Sequence, residues 1–366
     1  MKIGIIGCRG IPNFYGGFEQ FAEYLAKILV EKGHEVTVYN SHDHPFKEDN
    51  WKGVKLIHKY DPEGSVGTAG QFIYDLNCII DSRKRQFDII FQLGYTSSSI
   101  WGWLLPRKKS IVVTNMDGLE WKRSKYNKLV RNFLLFAERI GVVFSDYLIS
   151  DSIGIKEYLL EKYNVGSTFI PYGTYRVEDF NEDILYDFGL KKKEYCMLIA
   201  RLEPENNIET ILDGVCVSGV SEPFLVIGNH NTKYGRYLKE KYAAHSQILF
   251  MGGIYDIKKL NNLRNFARIY FHGHSVGGTN PSLIEAMGSG AFVCAHDNIF
   301  NRSILGKDAL YFSDSSSVSD VYVVKEHPQY EAVKENNFVK VKELYHWNVI
   351  ADQHEVLFEK LLESRQ

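Results

Sequence analysis

Residues 271–290, FHGHSVGGTNPSLIEAMGSG, restrict what this chain can fold into more than any other stretch. The apolar run Ile269, Tyr270, Phe271 reads as a short strand that feeds a loop of Gly, His, Ser and Thr. The loop ends at Asn280 and Pro281, where a helical pattern begins. Asn is a favoured N-cap, and Pro suits the first helical position because its missing N–H would be unpaired there. A helix N-terminus presents N–H groups and the positive end of the helix dipole, so the loop suits an anion, most plausibly phosphate. Glu285 falls in the second turn, and helical side chains lean back toward the N-terminus, so its carboxylate reaches the same place. A carboxylate accepts hydrogen bonds from paired hydroxyls, as a ribose would offer. The competing reading is a capped helix with a surface Glu.

Composition narrows the setting. A chain of 366 residues is long enough for about two domains. Its hydrophobic share of 45% and charged share of 24% are those of an ordinary globular chain. A net charge of −2 gives no basic excess of the kind nucleic acid attracts. The five cysteines, at 8, 78, 196, 216 and 294, are scattered and form no CxxC. That pattern indicates buried thiols in a reducing compartment, against a zinc site or a disulfide frame. The opening MKIGIIGCRG lacks the apolar core of a secretion signal, and no uncharged apolar run reaches the roughly 18 residues of a membrane span. The expected location is cytoplasmic.

Residues 2–6 form an apolar strand that enters GCRGIPNFYGGFEQ, with glycines at 7, 10, 16 and 17. Phe18, Phe21, Leu25, Ile28 and Leu29 follow at helical spacing, Gly33 ends the helix, and 34–39 is the next strand. This is a nucleotide-binding type of opening. The GxGxxG fingerprint is absent, however, and the second strand closes on Val38, Tyr39 and Asn40 without an acid, which counts against NAD. Gly16 and Gly17 would let a ligand approach the backbone, or would simply loosen the loop. Strands at 54–58, 87–92, 110–114, 146–149 and 168–170 complete a first domain, and strands at 195–200, 224–227, 247–251, 268–271, 291–295 and 309–312 build a second. The expected class is α/β: two Rossmann-like, doubly wound parallel-sheet domains, 1–172 and 173–345, facing across a cleft. A closing segment, 346–366, carries a last helix at about 347–362.

Three strand-end segments carry candidate chemistry. Arg201, in ARLEPENN, has the forked, permanently charged group that binds diphosphate oxygens. Gly252, Gly253 and Ile254 offer turn backbone for a nucleobase edge, or make a plain turn. Asp117 and Glu120, in TNMDGLEW, are carboxylates suited to a general base or a hydroxyl partner, although Asp-Gly is also turn chemistry. Two further stretches, IWGWLLPRKK at 100–109 and WKRSKYNKLVR at 121–131, join aromatics to basic clusters as an anionic membrane surface requires; the plainer reading is core beside a solvated face.

Together these segments resemble the GT-B glycosyltransferases of family 4, over nearly the whole chain. The resemblance rests on Gly16-Gly17-Phe18-Glu19, Gly33-His34-Glu35-Val36, Ile170-Pro171-Tyr172-Gly173, Ala200-Arg201-Leu202 with Pro204-Glu205, Leu249-Phe250-Met251-Gly252, Pro281 to Gly290, and Tyr345-His346-Trp347 before a helix that crosses back to the first domain. It implies that Glu285 holds the ribose, that Arg201 holds the donor diphosphate with Gly16 and Gly17 approaching from the other domain, and that the backbone from Gly278 through Thr279 and Asn280 to Pro281 receives the distal phosphate.

Three departures stand out. The first acid of the family's glutamate pair falls at Gly277, the expected Lys is Asn206, and the expected His of the first domain is replaced by Asp117 or Asn115. His272 or His274 would partly replace the lost positive partner. The combination resembles bacterial rhamnosyltransferases of surface-polysaccharide synthesis. It implies metal-independent, retaining transfer from a nucleotide-sugar donor, dTDP-rhamnose, to a lipid-linked or oligosaccharide acceptor, with no cofactor, no nucleic acid and a peripheral contact with the inner face of the cell membrane. The alternatives are a nucleotide-sugar 2-epimerase on the same fold and a non-catalytic sugar-nucleotide-binding partner.

Overall fold

The structure, a computed structural model, describes every residue except 15, 117, 124, 125 and 366. Its central strands lack hydrophobic alternation because both faces are covered. In β1 (Lys2–Ile6) the last four residues are buried, and β5 (Ile89–Leu93) is buried throughout. Such strands belong in parallel sheets flanked by helices. The chain divides into two compact units, Met1–Tyr172 with Trp347–Gln366 and Gly173–His346.

The first unit contains β1, α1 (Gly17–Glu31), β2 (Glu35–Ser41), β3 (Asn50–Trp51), β4 (Val54–Lys59), β5, β6 (Ile111–Asn115), α2 (Lys128–Phe144), β7 (Tyr147–Ser150) and β8 (Thr168–Phe169). Their order in the sheet is β3-β4-β2-β1-β5-β6-β7-β8. The pairings are parallel except that β3 runs antiparallel to β4. α1 stops at Gly33, whose φ of +92° suits glycine, and His34 N–H closes the turn on Leu29 O at 3.0 Å.

The second unit contains β9 (Cys196–Ile199), α3 (Ile208–Val217), β10 (Phe224–Ile227), β11 (Ile248–Gly252), α4 (Ile257–Phe266), β12 (Ile269–His272), α5 (Pro281–Gly288), β13 (Val293–His296) and β14 (Leu310–Phe312). The sheet order is β11-β10-β9-β12-β13-β14, with parallel pairing throughout. Leu198, Phe224, Phe271 and Tyr322 are buried in its core. The last helix, α6 (Trp347–Glu363), belongs to the first unit. Trp347 stacks on Tyr24 of α1 with ring centres 4.9 Å apart, and His354 meets Phe21 at 5.6 Å.

Candidate functional site

In the second sheet the strand order reverses between β9 and β12. The chain proceeds outward from β9 to β11, then returns to the other side of β9. Loops diverge at such a switch point and leave room for a ligand at the C-terminal strand ends. The loop after β9 carries Arg201 and Asn206, and the loop after β12 carries His274 and residues 277–280.

These two loops are laced together. Ser275 donates both its N–H and its hydroxyl to Glu205 O, at 3.1 and 2.8 Å. Asn207 Nδ2 donates to Gly273 O at 2.8 Å. Gly273 admits this closeness because a Cβ there would stand 2.0 Å from Asn206 O. Asn206, where the family resemblance leads one to expect a cation, is buried and donates from Nδ2 to Arg201 O at 2.7 Å. It shapes the turn that carries Arg201. The Arg201 side chain is exposed.

The α5 end forms as the sequence reads. Asn280 accepts from the Ser282 N–H at 3.0 Å, and Pro281 opens the helix. Thr279 is buried, Gly278 half-buried, and Gly277 has φ +128° with open space where a side chain would stand. Ser282 shares a 2.6 Å hydrogen bond with the Tyr270 hydroxyl. Glu285 projects from the next turn. Arg264 of α4 donates from Nη2 to its Oε2 at 2.7 Å and from Nη1 to Asn261 Oδ1 at 3.2 Å. The Arg264 side chain is only 1% exposed and that of Glu285 19%. Ser289 closes the group, its hydroxyl donating to Glu285 O in an i to i−4 helix bond.

Sequence reading missed Arg264. In KKLNNLRNF it resembles one more solvated helix cation, and only the burial of its side chain reveals the pair. A carboxylate neutralised by a buried guanidinium can sit beside a negatively charged ligand without the repulsion an isolated one would bring.

His272 and His274 stack with ring centres 4.4 Å apart and planes 16° apart. His272 is fully buried, and among the described residues neither of its ring nitrogens has a hydrogen-bond partner. Burial, then neighbouring His274 and Arg264, holds its pKa well below the usual imidazole value. A neutral imidazole can donate and accept but supplies no positive charge. Ile254 lies past the end of β11, the outer strand, where Gly252 O accepts from Gly228 N–H at 2.9 Å.

In the first unit, Gly16 is the N-cap of α1, and Gly17 O accepts from the Tyr172 hydroxyl. The buried Glu19 carboxylate folds back on the preceding loop and accepts from the Arg9 N–H at 2.6 Å. Asp117 lies outside the described residues. Its neighbour Asn115 ends β6 and is buried. Among the described residues no group of three or more His, Cys, Asp or Glu side chains is placed to hold a metal ion. Two recesses of about 460 and 410 Å³ lie beside Tyr242 and beside Val356, and no candidate residue lines either.

Residues 1–175 match a domain of unknown function, DUF1972. No curated protein matches the chain. Solved structures match nearly end to end. A sucrose-phosphate synthase from Thermosynechococcus elongatus superposes with TM-score 0.77 at 18% identity, covering 99% of each chain. Anabaena HepE in complex with UDP gives 0.76 at 13%, covering 98% of this chain and 100% of that one. A putative UDP-N-acetylglucosamine 2-epimerase from Listeria monocytogenes gives 0.66 at 16%, covering 99% and 96%. The fold is that of the GT-B glycosyltransferases, built of two Rossmann-like parallel-sheet units.

Proposed function

We propose that this protein is a glycosyltransferase that takes a sugar from a nucleoside-diphosphate donor and delivers it to a hydroxyl of a lipid-linked or oligosaccharide acceptor. One observation carries the reading. At the switch point of the second sheet, an Asn-capped helix end, a hydroxyl-accepting carboxylate paired to a buried Arg, and an exposed Arg on the laced neighbouring loop occur together. That is the set a ribose and a diphosphate need. The fold shared with a protein crystallised with UDP supports it.

In this reading Glu285 accepts from the ribose hydroxyls, and Arg201 with the backbone of residues 278–281 holds the diphosphate. The bond from the sugar's anomeric carbon to the diphosphate oxygen breaks as the acceptor oxygen bonds to that carbon. The acceptor's proton passes to the departing phosphate on the same face, so configuration is retained and no protein base is required. Arg201 and the α5 end offset the leaving group's growing charge. Asp117 positions the sugar or the acceptor. Rhamnose from dTDP-rhamnose is the proposed donor sugar: Gly277 supplies no acid there, and a 6-deoxy sugar has one hydroxyl fewer to satisfy. Surface-polysaccharide assembly at the inner face of the cell membrane is the proposed setting. The second reading, a 2-epimerase, draws on the fold shared with the Listeria protein.

A thermal-shift panel of nucleotides and sugar nucleotides, in EDTA and then in magnesium, tests this, because a ligand that binds only the native state raises Tm with affinity and excess. Stabilisation by thymidine-diphosphate species in EDTA, abolished by Glu285→Ala and by Arg201→Ala, is expected. Unchanged binding in either variant overturns the site. A preference for uridine species removes the rhamnosyl assignment, and donor consumption without acceptor favours the epimerase.

A further inference from the structure

α2 is apolar on two sides. Its inner side packs Leu134, Ala137 and Gly141 into the first unit. Its outer side is the unexpected one. Leu129 is 80% exposed, Phe136 and Val143 are each 55% exposed, and Phe133 is 37% exposed. Leu129, Phe136 and Val143 fall seven residues apart, so they form one continuous stripe along the helix. Isolated exposed apolar residues are common, whereas a stripe of large ones along a single helix marks a surface that meets something else.

The charge around the stripe indicates what that is. Between residues 121 and 143 the sequence holds six Lys or Arg and one acid, Glu138, in a chain whose net charge is −2. Glu138 is buried and turned inward, accepting from the Tyr158 and Tyr163 hydroxyls at 2.7 and 2.6 Å and from Lys162 at 3.0 Å. The exposed Lys128 and Arg139 stand eleven residues apart, close to three full turns, and so flank the same edge of the stripe. A second copy docked here would set these cations against their own kind. An anionic surface with an apolar interior accepts both the cations and the aromatics.

We propose that the outward face of α2 docks this protein onto an anionic lipid bilayer, with Leu129, Phe133, Phe136 and Val143 entering the headgroup boundary and Lys128 and Arg139 meeting lipid phosphates. Among the described residues no helix is long and apolar enough to cross a membrane, so this is contact along a surface. The proposal rests on the first unit alone and does not need the donor reading; a lipid-linked acceptor would give it a purpose.

The test is co-sedimentation of the full chain with vesicles of phosphatidylcholine alone and of equal parts phosphatidylcholine and phosphatidylglycerol. Binding to the anionic vesicles only, weakening steeply as salt rises, is expected. Lys128→Gln with Arg139→Gln should lower that partitioning roughly thirtyfold, at about a fivefold loss per cation. Leu129→Gln with Phe136→Gln should lower it by at least as much while leaving Tm within a few degrees, since both positions are exposed. Equal retention on both vesicle types, or unchanged binding in both variants, overturns the proposal. So does a wild-type dimer in sedimentation equilibrium that Phe136→Gln dissociates, which would make a second copy the occupant. Nucleotide thermal shifts on the same samples in solution report on the donor site separately.

Discussion

Each unit has one place where its sheet order reverses, and each puts a strand, a loop with glycines and a helix there. The two places are finished differently. At the end of β1 the loop closes on its own helix: Glu19, in the first turn of α1, accepts from the Arg9 N–H and occupies the position an external anion would take. Burial pushes its pKa up while the backbone donors pull it down. At the end of β12 the helix carries no acid in its first turn, the Asn280 cap engages the Ser282 N–H, and Gly277 leaves open space. The same sequence grammar thus makes one self-filled helix end and one that faces outward. The position of the nearest carboxylate decides which: third residue of the helix in α1, fifth in α5 and neutralised by Arg264.

The largest expected effect tests the neutralising pair. Arg264→Met removes the buried guanidinium from a partly buried carboxylate and should cost roughly 3 kcal/mol of stability, measured by urea unfolding. Adding Glu285→Leu should recover most of that loss. A neutral Arg264→Met would mean the pair does not compensate charge.

The contrast extends to the buried histidines. His354, under Phe21 in the first unit, has Nδ1 2.8 Å from Ile350 O and, among the described residues, no partner for Nε2. Burial lowers its pKa from 6.5 to about 4. The unfolded chain therefore takes up the proton first. The stability is fully present above pH 6.5, and falls as pH drops toward about 4. The steepest slope should be about 1 kcal/mol per pH unit, and His354→Leu should flatten it. An unchanged slope would place the acid sensitivity elsewhere.

Glu19→Ala should cost about 2 kcal/mol and open the α1 end, so that phosphate raises the Tm of the variant more than that of the wild type, whose α5 end alone faces outward. An equal phosphate shift in the two would break the comparison. Smallest, Asn280→Ala should cost about 1 kcal/mol in thermal unfolding, as the loss of an N-cap does.

Much of this was legible beforehand, for identifiable reasons. The strands could be read to within a residue or two because strands covered on both faces are apolar runs, and β10 spans Phe224–Ile227 as expected. The α5 start was legible because Asn-Pro has few other uses. β3, two residues long, has no pattern to read. Arg264 was hidden because burial depends on what packs over a helix, and that lies elsewhere in the chain. Asn206 was read as a missing charge, whereas its amide builds the turn, a role that depends on where Arg201 O points. In α2, Leu134 is core while Phe136 faces outward; composition alone cannot separate two apolar sides of one helix.

The chain visits the first unit twice, and that sets an order of assembly. A ribosome releases the strands of that unit first, yet Phe21 and Tyr24 receive Trp347 and His354 only after all of residues 173–346 have emerged. The second unit is one unbroken segment and can fold as soon as it is out. Until then the earlier segment waits with an aromatic floor uncovered. The part of this protein that is made first is completed last.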